Sequence, residues 1–308
     1  MSRTPRRAVT VVLCVLVLLL FALVGCSSAG STATSVQPTT STAASASSSE
    51  TLLMYAGSAS KPPTEEAIQV FEQKTGIKVE ATFGGSGKVL SQMKLAKEGD
   101  LYFPGSSDYM EKAKTDGNVI PETEKRIAYL VPAINVQKGN TKNIQTLTDL
   151  TQPGIKVAIA DPQTVCVGLY AVEVIENDLS PAEKAAFKAN LLNYTASCEA
   201  TATAISLKQV DAVIGWSVFQ DWDPTKIQTI ALNKAQIPRI GYIPIAVASY
   251  TKNQAKAQQF VDFLASAEGQ AIFAKYGYFT TPDQAFAYVG ETKPVGGVYT
   301  LPPDWVTK

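Results

Sequence analysis

Two serines lie in turns that are otherwise poor in side chains. Ser58 sits in Gly57-Ser58-Ala59-Ser60 and Ser86 in Gly84-Gly85-Ser86-Gly87. Each turn follows a short strand-like run and precedes a helical pattern. A helix entered through such a turn has unpaired N–H groups at its start, with a hydroxyl beside them. The N–H groups and the helix dipole both favour negative charge, so the chemistry on offer is anion binding. A serine that merely caps its helix leaves the same local signature. Two equivalent turns in succession weigh toward a shared site. The chain has no histidine, which removes the commonest transition-metal ligand and the usual base of a nucleophilic triad. A hydrolase would have to use Ser58 or Ser86 with a base such as Lys88, and Gly-x-Ser-x-Gly is absent around both. Acidic and basic residues balance at 27 each, so no strong field points to nucleic acid.

The four cysteines sort by position. Cys14 lies within an apolar run, Val11 to Val24, that follows Arg3, Arg6 and Arg7. A basic start and a run too short to span a membrane read as a secretory signal. The run ends in Leu23-Val24-Gly25-Cys26, which resembles a lipobox. That resemblance implies a signal peptide at 1–25, cleavage before Cys26, lipid on its thiol, and residence on the outer face of the cytoplasmic membrane. Residues 26–50 are almost all Ser, Thr, Ala and Gly after the cysteine; they cannot bury enough apolar surface to offset ordering and read as a tether. Cys166 and Cys198 remain. In an exported chain a disulfide between them is expected, with two buried free thiols or a soft-metal pair as the alternatives.

The elements that must position these residues follow from periodicity. Leu52–Ala56, Ile77–Ala81 and Asp100–Phe103 read as strands, with helices between them opened by the two serine turns. This β-α-β-α-β start places both serines at the carboxyl ends of strands, where open α/β sheets bind ligands. Tyr129–Ile134 reads as a strand crossing to a second unit, and Tyr242–Ala248 as the strand that returns. Between them, Ile155–Ala160 leads through Asp161-Pro162 into an apolar helix, with Asp161 as the cap of its own turn. Ser180-Pro181-Ala182-Glu183 is a capping box. Cys198 opens another short helix, and Val210–Trp216 is a buried strand. Two helices, Ala255–Leu264 and Glu268–Tyr276, precede Gly277. The tail after Pro282 reads as an irregular surface wrap.

Several segments match one family in order and spacing. Tyr55-Ala56-Gly57-Ser58, Phe83-Gly84-Gly85-Ser86 and Gly99-Asp100-Leu101-Tyr102 resemble the first lobe of periplasmic molybdate/tungstate-binding proteins. Asp161-Pro162 with Gly168-Leu169-Tyr170-Ala171 is similar to the second-lobe turn and helix. Phe260 to Phe263, Gly269-Gln270 and Phe273 to Tyr278 resemble the last helices. The resemblance spans about Leu52 to Tyr278. It implies an α/β, two-lobed periplasmic-binding-protein fold of type II, each lobe a mixed sheet flanked by helices, with two hinge crossovers. The lobes would be residues 51–130 with 246–308, and residues 131–245. It implies a non-enzymatic receptor without cofactor that hands molybdate or tungstate to the permease of an ABC importer and acts as a monomer. Its pocket would use the hydroxyls of Ser58 and Ser86. Backbone N–H groups would come from Val167 or Cys166, and from a helix start near Thr201. Trp216 stands where the family often has a tyrosine, so the cavity shape must differ. A Cys166–Cys198 disulfide would tie two binding turns together. Sulfate, phosphate or ferric iron in the same architecture is the first rival; the lack of histidine and the serine-rich turns oppose iron. A secreted hydrolase and a ligand-sensing lipoprotein are the others.

Overall fold

The computed structural model describes residues 51–306. The signal segment, Cys26 and the tether therefore lie outside the described residues.

Two five-stranded sheets divide the chain. In the first lobe, β1 (Leu52–Gly57) pairs in parallel with β2 (Val79–Gly84) and β3 (Leu101–Phe103). The helices α1 (Lys61–Thr75), α2 (Ser86–Ala96) and α3 (Ser107–Thr115) follow these three strands in turn. Strand β4 (Lys125–Leu130) then runs to the far edge and passes, through Val131 alone, into β5 (Pro132–Gln137) of the second lobe. The expected crossing strand is thus two strands sharing one extended path. The first sheet sits about a core of β1, β3 and helix side chains, with Phe71 edge-on to Phe260 at 5.0 Å.

The second lobe repeats the plan. β6 (Val157–Ala160) lies between parallel β7 (Leu191–Thr195) and β8 (Ala212–Trp216), and β5 pairs antiparallel with β8 and with β9 (Ile227–Ala231). Helix α4 (Cys166–Asp178) follows β6, α5 (Pro181–Asn190) precedes β7, and α6 (Cys198–Ser206) follows it. Both bonds of the expected capping box open α5: the Glu183 N–H donates to Ser180 Oγ, and the Ser180 N–H to Glu183 Oε2. A short helix, α7 (Phe219–Trp222), separates β8 from β9.

The return strand is β10 (Gly241–Val247), wholly buried between β3 and β4. Pro244 is tolerated in this central strand because the β4 register shifts between Ile243 and Pro244, where a missing N–H breaks no regular ladder. All of β10 belongs to the first sheet, so the second crossing falls at 232–240 rather than at the 245/246 boundary drawn from sequence. Helices α8 (Gln254–Ala265) and α9 (Ala267–Lys275) back the first sheet. The tail is not an irregular wrap throughout: α10 (Pro282–Val289) forms behind a Thr281/Gln284 capping box. Its Ala285 and the later Trp305 are buried with second-lobe residues such as Ile134 and Val174. The tail therefore does not pack on the first lobe alone.

Candidate functional site

Ser58 ends the path of β1 and Ser86 is the first residue of α2 after β2. Gly57 and Gly84 face each other in the β1–β2 register, which brings the two serine turns side by side. Ser86 leans over Gly57. A Cβ there would stand 2.6 Å from Ser86 Oγ and 2.7 Å from the Gly105 nitrogen, so only glycine lets the hydroxyl in. The Gly105 N–H donates to Ser86 Oγ at 3.0 Å, and the Tyr102 hydroxyl donates to the Ser86 carbonyl at 3.0 Å.

Gly105 is a further candidate, not singled out from the sequence. Its signal was present: Pro104-Gly105-Ser106-Ser107 is again a strand-to-helix turn of small residues. It too must be glycine, because a Cβ would lie 2.6 Å from both Ala59 Cβ and Cys166 Sγ.

The second lobe presents helix starts to these turns. Cys166 is the first residue of α4 and Cys198 the first of α6. Asp161 caps the turn before α4 as expected, accepting from the Gln163 N–H at 2.9 Å and the Thr164 hydroxyl at 2.7 Å. The Glu199 N–H reaches across the cleft to Ser58 Oγ at 3.3 Å. Glu199 lies within the range expected for a helix-start donor near Thr201, but Thr201 itself is not that donor. The Thr201 N–H is used inside the helix, bonded to the Ser197 carbonyl at 3.0 Å. Ser197 is the N-cap, so only the first N–H groups after it are unpaired. The helix-start N–H that meets Ser58 is therefore that of Glu199, two residues before Thr201.

The cysteines correct a second expectation. Cys166 and Cys198 are buried free thiols with their sulfurs 3.6 Å apart, well beyond the ~2.05 Å of a disulfide bond. Position was read correctly, since the two turns do meet, but the bond is not there. Burial, and next the neighbouring Cys166 sulfur, push the Cys198 thiol well above its ordinary 9.0; the Val167 N–H and the Trp216 indole pull it back down. Val167 and Trp216 thus both face the Cys198 sulfur. Trp216 ends β8, stacks edge-on against Tyr170 at 4.8 Å, and leaves its buried Nε1 without a partner at hydrogen-bond distance. The Tyr109 hydroxyl is likewise buried and unpartnered. Such orphaned donors are costly unless something accepts from them.

The lobes are in contact over the site. The Gly87 N–H donates to the Thr164 carbonyl at 2.8 Å, and Lys61 pairs with Glu199 at the rim at 2.8 Å. What gathers here is a set of neutral donors: two hydroxyls, helix-start N–H groups and an indole. Each serine hydroxyl already accepts one N–H, which leaves its own proton free to donate. Four helix starts, those of α1, α2, α4 and α6, supply partial positive charge. A groove of about 570 Å³ runs outside the site between α3, the Asp161-Pro162 turn and the tail, and borders the serine turns through Tyr109.

Two lobes of one plan, joined by two crossing segments and closed over donors at the carboxyl ends of strands, define a solute receptor of the periplasmic-binding-protein fold. Residues 52–279 match the model of the bacterial extracellular solute-binding protein family, and the chain belongs to it. A putative ABC transporter substrate-binding lipoprotein of Bacillus subtilis, YvgL, is 24% identical over 82% of this chain and 92% of its own length. The molybdate-binding protein ModA of Mycobacterium tuberculosis is 23% identical over 85% of this chain and 94% of its own. Among solved structures, the periplasmic molybdate-binding protein of Azotobacter vinelandii superposes with TM-score 0.65 at 18% identity, over 75% of this chain and 99% of its own. The sulfate-binding protein SubI of Mycobacterium tuberculosis superposes with TM-score 0.66 at 18% identity, over 80% and 93%. At such identities the structural likeness speaks for the fold.

Proposed function

We propose that this protein is the receptor of an ABC importer and captures a tetrahedral oxyanion, molybdate or tungstate, between its lobes. The observation that carries this reading is the convergence of Ser58, Ser86 and the helix-start N–H groups of Val167 and Glu199 with no cationic side chain in the set. A doubly charged oxyanion has only acceptors, so it is best held by donors alone, and neutral donors do this without a buried counter-charge. Sulfate shares that charge and shape, and discrimination then rests on cavity size. The Tyr109 hydroxyl, buried without a partner, and the Trp216 indole, which otherwise faces only the Cys198 sulfur, are further donors for such a ligand. The molybdate-binding relative supports this choice and the sulfate-binding neighbour keeps sulfate, with phosphate, as the second reading. The family relatives are binding proteins rather than enzymes, in keeping with a receptor.

The exported, anchored state belongs to the same proposal. The lipobox-like Leu23 to Cys26 and the lipoprotein relative support lipid on Cys26 and a tether to the outer face of the cytoplasmic membrane, near the permease. Among the described residues no helix is long and apolar enough to cross a membrane. Cys26→Ser is expected to release the protein from the membrane fraction; unchanged membrane association would remove the lipid anchor from the account.

Isothermal titration of residues 50–308 with molybdate, tungstate, sulfate and phosphate tests the ligand. Tight molybdate or tungstate binding with sulfate at least ~100-fold weaker, a difference of about 2.7 kcal/mol, is expected. Preference for sulfate or phosphate would replace the first reading with the second. No binding of any of the four would end the oxyanion assignment.

A further inference from the structure

The family model ends at residue 279, and the chain beyond it ties the lobes together. After α10 the tail turns back along the second crossing: the Ile240 N–H donates to the Pro294 carbonyl and the Gly296 N–H to the Ile240 carbonyl, both at 2.8 Å. It then meets the first lobe. The Gly297 carbonyl accepts from the Ser107 hydroxyl at 2.8 Å, and the Tyr299 N–H donates to Asp108 Oδ1 at 2.9 Å, both at the start of α3. Its end is fixed to the second lobe. Trp305 is 1% exposed, donates from Nε1 to Glu176 of α4 at 2.7 Å, and lies 4.3 Å from Lys188 of α5.

At the middle of this path Arg239 bridges the lobes. Its Nε donates to Glu173 of α4 at 2.7 Å, and its two Nη atoms fork onto Asp108 of α3 at 3.0 and 3.2 Å. The guanidinium stacks 4.0 Å from the Tyr170 ring centre. All three charged side chains are nearly out of water. A buried ion pair is kept only if its remaining donors and acceptors are satisfied, and the tail does this: Gly297 accepts from Arg239 at 3.1 Å while Tyr299 donates to Asp108. Separating the lobes would part Asp108 from Arg239, leaving the guanidinium with Glu173 alone and the Asp108 carboxylate without its cation.

We propose that residues 290–306 form a strap which, through Arg239 and Asp108, latches the two lobes together by contacts that lie outside the serine turns and need no ligand. The latch makes lobe opening, and with it ligand exchange, depend on release of the strap. A receptor already populating its closed form binds without the affinity lost to an unfavourable closing step. The inference needs only the two-lobed receptor, not the identity of the ligand.

The test is amide hydrogen exchange on the ligand-free protein, read at Gly87, whose N–H crosses the cleft to Thr164. Trp305→Ala unties the strap's far end. The Gly87 amide is expected to exchange about tenfold faster in this variant, within the range typical of coupling between sites, while core amides of β1 stay protected. An unchanged Gly87 rate in a folded variant would overturn the latch. If the variant does not fold, the wild-type protein decides. Gly87 and Tyr299 are expected to exchange at the same rate because one opening frees both. A Tyr299 amide exchanging far faster than Gly87 would mean that the strap comes off without opening the lobes, and the proposal would fall.

Discussion

Ser58 and Ser86 matter for the proton they have left over. Each Oγ accepts an N–H, from Glu199 and Gly105 respectively, so each hydroxyl hydrogen can turn to a ligand. Removing one donor to a charged acceptor costs about 1.5–3 kcal/mol. Ser58→Ala and Ser86→Ala should therefore each weaken molybdate binding by roughly tenfold to a hundredfold, read by titration calorimetry; Ser86→Ala also strips the buried Gly105 N–H of its acceptor and should cost about 1–3 kcal/mol of stability. Equal affinity in both variants would take the serines out of the site. The thiols make a separate prediction at this scale. Cys166 and Cys198 are buried, and burial raises the Cys198 thiol, so a thiol reagent should find neither in the native protein of residues 50–308. After denaturation without reductant it should titrate both. A count of zero would show that the sulfurs, 3.6 Å apart in the structure, are joined in solution.

At the level of elements, the site depends on how closely turns approach each other. Gly57 is where this is tightest, with a Cβ meeting both Ser86 Oγ and the Gly105 nitrogen. Gly57→Ala should displace the Ser86 turn, lower stability by about 1–3 kcal/mol as overpacking does, and reduce oxyanion affinity further than Ser86→Ala. Calorimetry beside urea unfolding checks this; wild-type affinity would mean the turns have slack the geometry does not show. Ser180→Ala offers the contrast. It breaks the capping box of α5, far from the ligand, and should cost about 1 kcal/mol of stability with ligand affinity intact. The elements best read from sequence were those with a local signature: β1, α2 behind its glycine turn, the α5 box. Helix α3 and strands β7 and β9 were not singled out, since their patterns are short and their pairing is decided by distant neighbours.

For the whole molecule, the buried tyrosines set a limit at high pH. Burial pushes the phenols of Tyr102, Tyr109, Tyr170 and Tyr278 well above their ordinary 10.0, and the Cys198 thiol well above 9.0. The native state holds these protons more tightly than the unfolded chain. Above the ordinary values the unfolded chain has released them while the native state has not, so stability falls as pH rises. The slope approaches about 1.4 kcal/mol per pH unit for each group fully engaged. Urea midpoints should be level near pH 8 and drop steeply from about pH 10 upward. A flat profile to pH 11 would mean these groups ionise without unfolding.

What is local can be read along the chain. Strand-like runs that end in small-residue turns dictate strand–turn–helix units, and the serines in those turns declare donors for an anion. The extended run through Val131 and the buried return strand declare two lobes. Asp161 declares its own cap. Which groups meet is a matter of how the elements pack. Whether the N–H of Thr201 or of Glu199 points out of the helix, as Glu199's does to Ser58, depends on where Ser197 caps α6, a matter of helical phase. Gly105 reaches Ser86 across 19 residues, and Arg239 reaches Asp108 across 131. The tail, which carries no periodic signal between Gly290 and Leu301, is held by contacts with both lobes. Such partners are brought together by the closing of one lobe on the other, and no spacing along the chain encodes that distance.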